Sequence, residues 1–293
     1  MARVQVLLAA LCFATTGTAQ ALGPDGTDPV GVGASRILVG GILLAAVALL
    51  TRTAGPRWDR GPVLAAVAGV AVYQLAFFAA VADTGVAVGT IVALGSAPTL
   101  AGLFEWILDR RRPDPRWTIA TALACAGVAL LALAGGDASV SLPGIVMAIV
   151  AGASYAVYTL AAKRLLNAGH APEAVMAVAF GLGAVALLPA LALSTPGWLL
   201  HADGIALALF LGIVPTALAY VLFARGLRRL TASETATLTL AEPLTAGALG
   251  AVVLAEPLTA MSVAGAGLVL AGLLSLAIRL PLPAVASPER AAA

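Results

Sequence analysis

The chain has 293 residues, of which 61% are hydrophobic and only 10% are charged. A mean hydropathy of +1.03 excludes an ordinary soluble domain and is typical of a helical protein that crosses a membrane several times. The formal net charge is only +2, but the charged residues are distributed unevenly along the chain. Glycine supplies 31 residues, and small residues permit the close helix packing of membrane bundles.

A helix needs about 20 apolar residues to span a bilayer. Ten segments of suitable length and apolarity follow one another along the chain and predict an all-α protein with ten transmembrane helices. They cover residues 4–22, 29–50, 61–82, 86–108, 116–134, 143–162, 172–193, 204–224, 231–255 and 258–278. The first segment also fits a secretory signal, because Arg3 precedes a short apolar run that ends in Ala19-Gln20-Ala21. We favour a spanning helix, since no extracellular domain follows it.

Lysine and arginine are concentrated on alternate loops, as expected for the cytoplasmic side of a membrane protein. Positive residues precede span one and follow spans two, four, six, eight and ten, whereas the intervening loops carry Asp and Glu without Lys or Arg. Both termini are therefore expected in the cytoplasm. Arg36, inside span two, is the exception to this pattern.

An internal repeat is visible when the sequence is shifted by 145 residues, which superposes Pro98 on Pro243. Each half then holds five spans, an odd number, so the second half must enter the membrane from the opposite side. We expect residues 1–136 and 137–280 to form two inverted five-helix repeats, with residues 281–293 as a disordered cytoplasmic tail. Inverted repeats are a transporter architecture whose binding site lies near the bilayer midplane.

Several segments resemble a known family. They include ASRILVGGILL around Arg36, ALGSAPTLAGLFEWIL in span four, GASYAVYTLAAKRL in span six and LAEPLTAGALGAVVLAEPLT in span nine. With these residues the chain resembles the EamA family of the drug/metabolite transporter superfamily, over essentially its whole length. The resemblance implies export of an amino acid or related metabolite across the plasma membrane.

Glu242 is the only carboxylate near the middle of a predicted span. An ionisable group there costs about 2.5–3.5 kcal/mol on insertion scales, so it marks a functional site by default. Two interpretations stay open: a site for a proton or a substrate amine, and a structural Glu-Pro kink with the acid bonded to a neighbouring helix. Glu105 and Glu234 lie toward cytoplasmic ends, where they can extend to nearby arginines.

Pro243 directly follows Glu242, and Pro98 occupies the equivalent position in the first repeat. Proline has no amide hydrogen, so the carbonyls of Thr239 and Leu94 should lose their helical partners. We predict hinges at both prolines; packing kinks satisfied by nearby threonines are the alternative.

Arg36 lies about 10 Å inside the outer edge of span two, at 1.5 Å per residue. It could pair with backbone carbonyls or an external Asp, or it could bind a substrate carboxylate or tune Glu242. Other polar side chains within the spans predict a partly polar central cavity for a small metabolite. They are Gln20, Tyr73, Gln74, Tyr155, Tyr158 and, in span eight, Tyr220.

The leading hypothesis is a secondary transporter that moves a small organic solute by alternating access, with protons as a candidate coupling ion. A multidrug or other small-molecule permease of the same fold is the alternative. An intramembrane enzyme is disfavoured, because His170 and His201 are the only histidines and both lie in loops. A non-transporting membrane scaffold or receptor is also disfavoured, because it would need a larger loop or tail to bind a partner.

No cofactor, metal or nucleic acid is expected. The expected partners are the solute and membrane lipid. We expect the protein to be a monomer or a homodimer.

Overall fold

The computed structural model describes residues 1–51, 56–110, 112–134, 141–194, 196–255 and 258–277, without the side chains of Val86 and Ala87. Helices account for nearly all of these residues. Their bounds are α1 Ala2–Ala21, α2 Pro29–Thr51, α3 Arg60–Gly85, α4 Val88–Asp109, α5 Pro115–Leu133, α6 Leu142–Asn167, α7 Pro172–Leu193, α8 Ala202–Leu227, α9 Ala232–Val253 and α10 Ala260–Ala277. The tail at 281–293 lies outside the described residues.

Nine helices of the described part, α1 to α9, are long and apolar enough to cross a membrane, and α10 is a shorter apolar helix. The expectation of an all-α membrane protein is confirmed, whereas the tenth span stays a prediction. Span six was predicted to end at residue 162, but α6 continues through Lys163 and Arg164 to Asn167. Lys163 stays in the helix while its ammonium donates to the carbonyls of Leu227 and Arg228.

Polar residues fix several helix starts. The Asp28 carboxylate accepts hydrogen bonds from the amides of Val30 and Gly31, at 3.3 and 2.6 Å, and thus caps α2. Asp114 caps α5 through the Arg116 amide in the same way. Such caps satisfy amide groups that have no partner within the helix.

The backbone departs from regular α-helical geometry at three places. Gly85 separates α3 from α4 with a φ of +77°, a conformation that glycine adopts without steric cost. In α8, residues Ile213–Leu218 form a π-helical segment, where the Thr216 hydroxyl donates to the Leu211 carbonyl. α9 consists of two segments, which we call α9a (Ala232–Leu238) and α9b (Ala241–Val253).

The two prolines predicted as hinges differ in their surroundings. α4 continues as a helix through Pro98. α9 breaks just before Pro243, and there the carbonyl of Thr239 accepts the amide of Glu242 at 2.9 Å. As predicted, this carbonyl loses its i+4 helical partner, because Pro243 has no amide hydrogen. The chain tightens there, and the preceding amide binds the carbonyl instead.

Glycines bring the helices into backbone contact. A Cβ on Gly272 of α10 would lie 2.6 Å from the carbonyl oxygen of Ala120 in α5. Gly127 of α5 faces α10 at an equally short distance, and Gly152 of α6 faces α4 in the same manner. The bundle therefore packs through small residues, as expected where lipid supplies no hydrophobic drive for helix association.

This packing predicts opposite outcomes for two glycines of α10. Gly272→Ala should lower the thermal unfolding midpoint in detergent, because overpacking typically costs about 1–3 kcal/mol and exceeds the gain in helix propensity. Gly267→Ala is the matched control, since no atom lies within 4 Å of its added Cβ, and its midpoint should be unchanged or higher. Equal midpoints for the two variants would contradict close α5–α10 contact.

Candidate functional site

Arg36 of α2 is held by Gln74 of α3. The Arg36 Nη2 atom donates to Gln74 Oε1 at 3.2 Å, and Gln74 Nε2 donates to the carbonyl of Gly33 at 3.2 Å. Gln74 is only 3% exposed, so its amide is fixed between two atoms of α2. The Nε atom of Arg36 is buried and has no hydrogen-bond partner. One donor of the guanidinium is thus left for another group.

Gly33 allows this arrangement. A Cβ at Gly33 would lie 2.1 Å from the Phe78 ring and 3.1 Å from Gln74 Nε2. Any side chain there would push α3 away from α2 and would pull Gln74 off the arginine. The close approach of two backbones therefore positions the charged group.

Glu242 lies in the first turn of α9b, directly after the break in α9. Its carboxylate interacts electrostatically with the Arg36 guanidinium. The two groups do not form an ion pair, and the described residues offer the Glu242 carboxylate no hydrogen bond. A positive and a negative side chain therefore lie near each other within the membrane span without neutralising each other directly.

A group of aromatic rings lies beside Gln74 and Thr239. Tyr155 of α6 shares a hydrogen bond with the Thr239 hydroxyl at 3.3 Å, just before Glu242. The Tyr155 ring lies 6.0 Å from that of Tyr73 and 6.1 Å from that of Tyr158. Tyr220 of α8 lies 4.0 Å from Phe180, measured between ring centroids. Four helices, α3, α6, α7 and α8, thus contribute to one aromatic group.

These rings line a small cavity of about 10 Å³, which we call the central cavity. Its walls include Tyr73, Gln74, Tyr155, Tyr158, Phe180 and Tyr220. That volume holds about one water molecule, so the site is closed in this conformation.

A second cavity, of about 970 Å³, opens at the arginine-rich end of the bundle, and we call it the vestibule. α9a lies at its wall and is held by neighbouring helices. Glu105 of α4 accepts the amides of Ala232 and Ser233, at 2.6 and 3.3 Å, and the Ser233 hydroxyl. Arg3 pairs with Glu234 at 2.8 Å. The Trp117 indole donates to the Thr237 hydroxyl at 3.0 Å, and Thr121 bonds the same hydroxyl.

Comparison with known proteins identifies the family. The sequence profile of the EamA-like transporter family matches residues 2–133 and 142–278. The chain belongs to the EamA-like transporter family. The predicted resemblance is confirmed, and the protein is a multi-pass protein of the plasma membrane.

The relatives of this EamA-like chain carry transporter names. It is 42% identical to the uncharacterised transporter YwfM of Bacillus subtilis over 270 residues, which cover 92% of this chain and 91% of the relative. It is 33% identical to the threonine/homoserine exporter RhtA of Escherichia coli K12 over 215 residues, or 73% of this chain and 70% of that one.

A third relative, the probable terminal-alkyne amino-acid exporter of Streptantibioticus cattleyicolor, is 28% identical over 244 residues, which cover 82% of this chain and 81% of that one. A solved crystal structure shares the fold with a TM-score of 0.82, at 20% identity, and covers 94% of this chain and 96% of that chain.

The fold of this EamA-like protein brings Arg36, Tyr73, Gln74, Tyr155 and Glu242 close to one another. Arg36 pairs with Gln74, a partner that the sequence did not indicate. Tyr158 lines the central cavity with its ring, but its hydroxyl donates to the Met176 sulfur at 3.2 Å.

Gln20 reaches only the carbonyl of Thr16 in its own helix, at 3.4 Å, and makes no described contact with the other predicted site residues. Glu234 pairs with an arginine, Arg3 of α1, whereas Glu105 caps α9a.

Tyr220 is the residue whose importance the sequence underestimated. It interacts electrostatically with both Arg36 and Glu242, and its ring lies between Phe13 and Phe180. In the sequence, the only indication of a role for Tyr220 was the presence of a tyrosine within an apolar span. Its direction depends on the π-helical segment of α8, which changes the angular register of every later residue in that helix.

Gln74→Met tests the support of Arg36. The substitution preserves side-chain length but leaves Arg36 Nη2 and the Gly33 carbonyl without their partner. The free energy of unfolding should fall by about 1–3 kcal/mol, as measured by thermal or denaturant unfolding in detergent. Gln20→Met is the matched control and should change stability by less than about 0.5 kcal/mol. Equal shifts would show that Gln74 is not a structural support.

Proposed function

We propose that the protein is a secondary transporter that exports an amino acid or a closely related zwitterion by alternating access, coupled to protons. The observation that carries the proposal is the unpaired state of Arg36 and Glu242. Arg36 Nε is buried without a hydrogen-bond partner, and no ion pair joins the Glu242 carboxylate to another described residue. A substrate carboxylate complements the first group, and a substrate ammonium complements the second.

Energetics favour this assignment over a purely structural role. Buried charges are normally paired and hydrogen-bonded, because an uncompensated ion in a low-dielectric interior costs several kcal/mol. A direct Arg36–Glu242 ion pair would remove that cost, yet the two groups do not form one. A zwitterion bound between them would satisfy both charges at once. Two of the relatives named above carry the names of amino-acid exporters, which supports this substrate class.

We further propose ten spans arranged as two inverted repeats, residues 1–136 and 137–280, that rock about hinges at Pro98 and Pro243. The 145-residue repeat and the alternating charge of the loops support this topology. The family profile also matches the chain in two successive segments. Helices in corresponding positions of the two halves pack against each other, α2 with α7 and α5 with α10, as a two-fold arrangement requires.

α9a is the proposed cytoplasmic gate. It stands between the vestibule and Glu242, and the break after Leu238 separates it from α9b. Side chains of four other helices hold it. Glu105, Arg3 and Trp117 contact residues of α9a, and Tyr155 contacts Thr239, which directly follows α9a. Release of these contacts would connect the vestibule with the central cavity, which gives a solute access from the cytoplasm.

Purified protein in proteoliposomes tests the substrate class and the proton site together. In counterflow with the twenty L-amino acids and homoserine, we expect exchange of at least one of them, with threonine and homoserine as the first candidates. Glu242→Gln should reduce uptake driven by an imposed pH gradient by about 10-fold or more, because it removes an ionisable group from the midspan site. Asp203→Asn, at the far end of α8, is the control and should leave uptake unchanged.

Absence of exchange for every amino acid tried would remove the proposed substrate class. Undiminished pH-driven uptake by Glu242→Gln would remove Glu242 as the proton site while leaving amino-acid transport intact.

Labelling of an introduced cysteine tests the gate. In a background with Cys12→Ala and Cys125→Ala, Thr239→Cys should react with a membrane-impermeant maleimide from the cytoplasmic side about 5- to 20-fold faster when Glu105→Gln is added. The reason is that charge-assisted hydrogen bonds contribute about 1.5–3 kcal/mol and neutral ones less. Asp109→Asn is the matched control at the same cavity, because Asp109 pairs with Arg164 at 3.8 Å with both side chains 49% exposed, and exposed ion pairs contribute only about 0–1 kcal/mol. Identical rates in all three backgrounds would contradict a gate held by Glu105.

A further inference from the structure

The connection between α7 and α8 buries a tryptophan. Residues Pro196–Leu200 form a short 3₁₀ helix, and within it Trp198 is only 6% exposed. Its side chain belongs to a hydrophobic cluster that includes Val32 of α2 and Leu207 and Leu211 of α8. Tryptophans near the ends of membrane spans usually lie at the interface with water. This one is instead enclosed between helices.

A glycine makes room for the enclosed side chain. A Cβ on Gly204, in the first turn of α8, would overlap the carbonyl oxygen of Trp198 and would lie 3.0 Å from its ring atom Cε3. A Cβ on Gly197, directly before Trp198, would have no atom within 4 Å. The close contact is therefore specific to the start of α8, where only glycine permits the tryptophan to fit.

Trp198 lies on one side of the candidate site along two of the helices that build it. Val32 precedes Arg36 by four residues, so it lies about 6 Å away along nearly the same face of α2, toward the end of the bundle opposite the arginine-rich loops. On α8, the carbonyl of Leu211 accepts the Thr216 hydroxyl in the π-helical segment that precedes Tyr220. Contacts of Trp198 thus reach the helix faces and turns that position Arg36 and Tyr220.

The indole N–H of Trp198 has no hydrogen-bond partner among the described residues, although its nitrogen is buried. Buried donors are almost always paired, because an unpaired one forfeits the hydrogen bonds that it makes with water. The enclosed position is therefore favourable for the ring and unfavourable for the nitrogen. Movement of Trp198 to the aqueous surface would give the N–H a partner, which makes the side chain easier to release.

The arginine-rich end has a tryptophan in a corresponding place. Trp58 lies between α2 and α3, which correspond to α7 and α8 in the proposed two-repeat arrangement. It is 39% exposed, and its ring stacks on His170 at 3.8 Å between centroids. The tryptophan is thus enclosed at one end of the bundle and partly exposed at the other, which is also the end where the vestibule opens.

We propose that Trp198 is the outer gate of the transporter. In this conformation its side chain closes the solute path between α2 and α8, and it leaves that position when the site opens to the exterior. The inference rests on the proposed function, because only alternating access requires the outer end to open and close.

Labelling from outside the cell tests whether Trp198 seals the path. In a background with Cys12→Ala and Cys125→Ala, Val32→Cys should react slowly with a membrane-impermeant maleimide in intact cells. Added Gly204→Ala should raise that rate about 5-fold or more, because the new Cβ displaces Trp198. Gly197→Ala is the matched control and should change the rate by less than about 2-fold.

Leu200→Cys, at a position that is 85% exposed, should react rapidly in every background and shows that the segment faces the exterior of a folded protein. Absence of this labelling from outside would contradict an outer gate.

A reversible crosslink tests whether the outer end must open during transport. A Cβ on Gly23, just after α1, would lie 2.9 Å from Leu207 Cδ2, so cysteines at these two positions can form a disulfide beside Trp198. Oxidation of Gly23→Cys/Leu207→Cys should lower amino-acid exchange in proteoliposomes by about 10-fold or more, and a reductant should restore it, because a closed gate blocks alternating access. A merely structural tryptophan would leave the oxidised protein active.

Equal labelling of Val32→Cys in the Gly204→Ala and Gly197→Ala backgrounds would overturn the proposal, as would full exchange by the oxidised, crosslinked protein. Failure of the wild-type protein to move any amino acid would instead overturn the proposed function. The labelling rates need no substrate, so the two failures are distinguishable.

Discussion

An ionisable side chain at the centre of a membrane span costs about 2.5–3.5 kcal/mol on insertion scales, and this bundle holds an arginine and a glutamate within its apolar helices. Arg36 and Glu242 are not joined in an ion pair in the described part of the chain. Gln74 takes one donor of the guanidinium and is itself fixed by the Gly33 carbonyl. The protein thus supplies a partner for part of the guanidinium, whereas Arg36 Nε stays without one.

Close backbone contact makes this arrangement possible. At Gly33 a single added carbon would collide with Phe78, and comparable contacts at Gly127 and Gly272 join α5 to α10. In lipid such contacts replace the hydrophobic drive that folds soluble proteins, so the smallest residues determine which helix faces meet. The absence of a side chain at Gly33 therefore lets Gln74 of α3 reach Arg36, three residues further along α2.

α9 connects the two ends of the molecule. Its first segment is held at the vestibule by Glu105, and its second begins next to Glu242. The vestibule has about 970 Å³ and the central cavity about 10 Å³, so the conformation is open at the arginine-rich end and closed at the centre. Between the segments, i→i+3 bonds replace the helical i→i+4 bonds: the amides of Leu240 and Glu242 donate to the carbonyls of Thr237 and Thr239.

Hydropathy and loop charge were enough to predict a helical membrane bundle and its helix ranges to within a few residues, because bilayer thickness and charge cost act on each segment separately. They also singled out Arg36 and Glu242 as candidate site residues. The pairing of Arg36 with Gln74, the contact between Glu105 and α9a and the direction of Tyr220 were decided only by the tertiary structure. Each depends on the relative rotation and separation of two helices, and those follow from side-chain packing, the π-helical segment and the break in α9, which no local sequence pattern specifies.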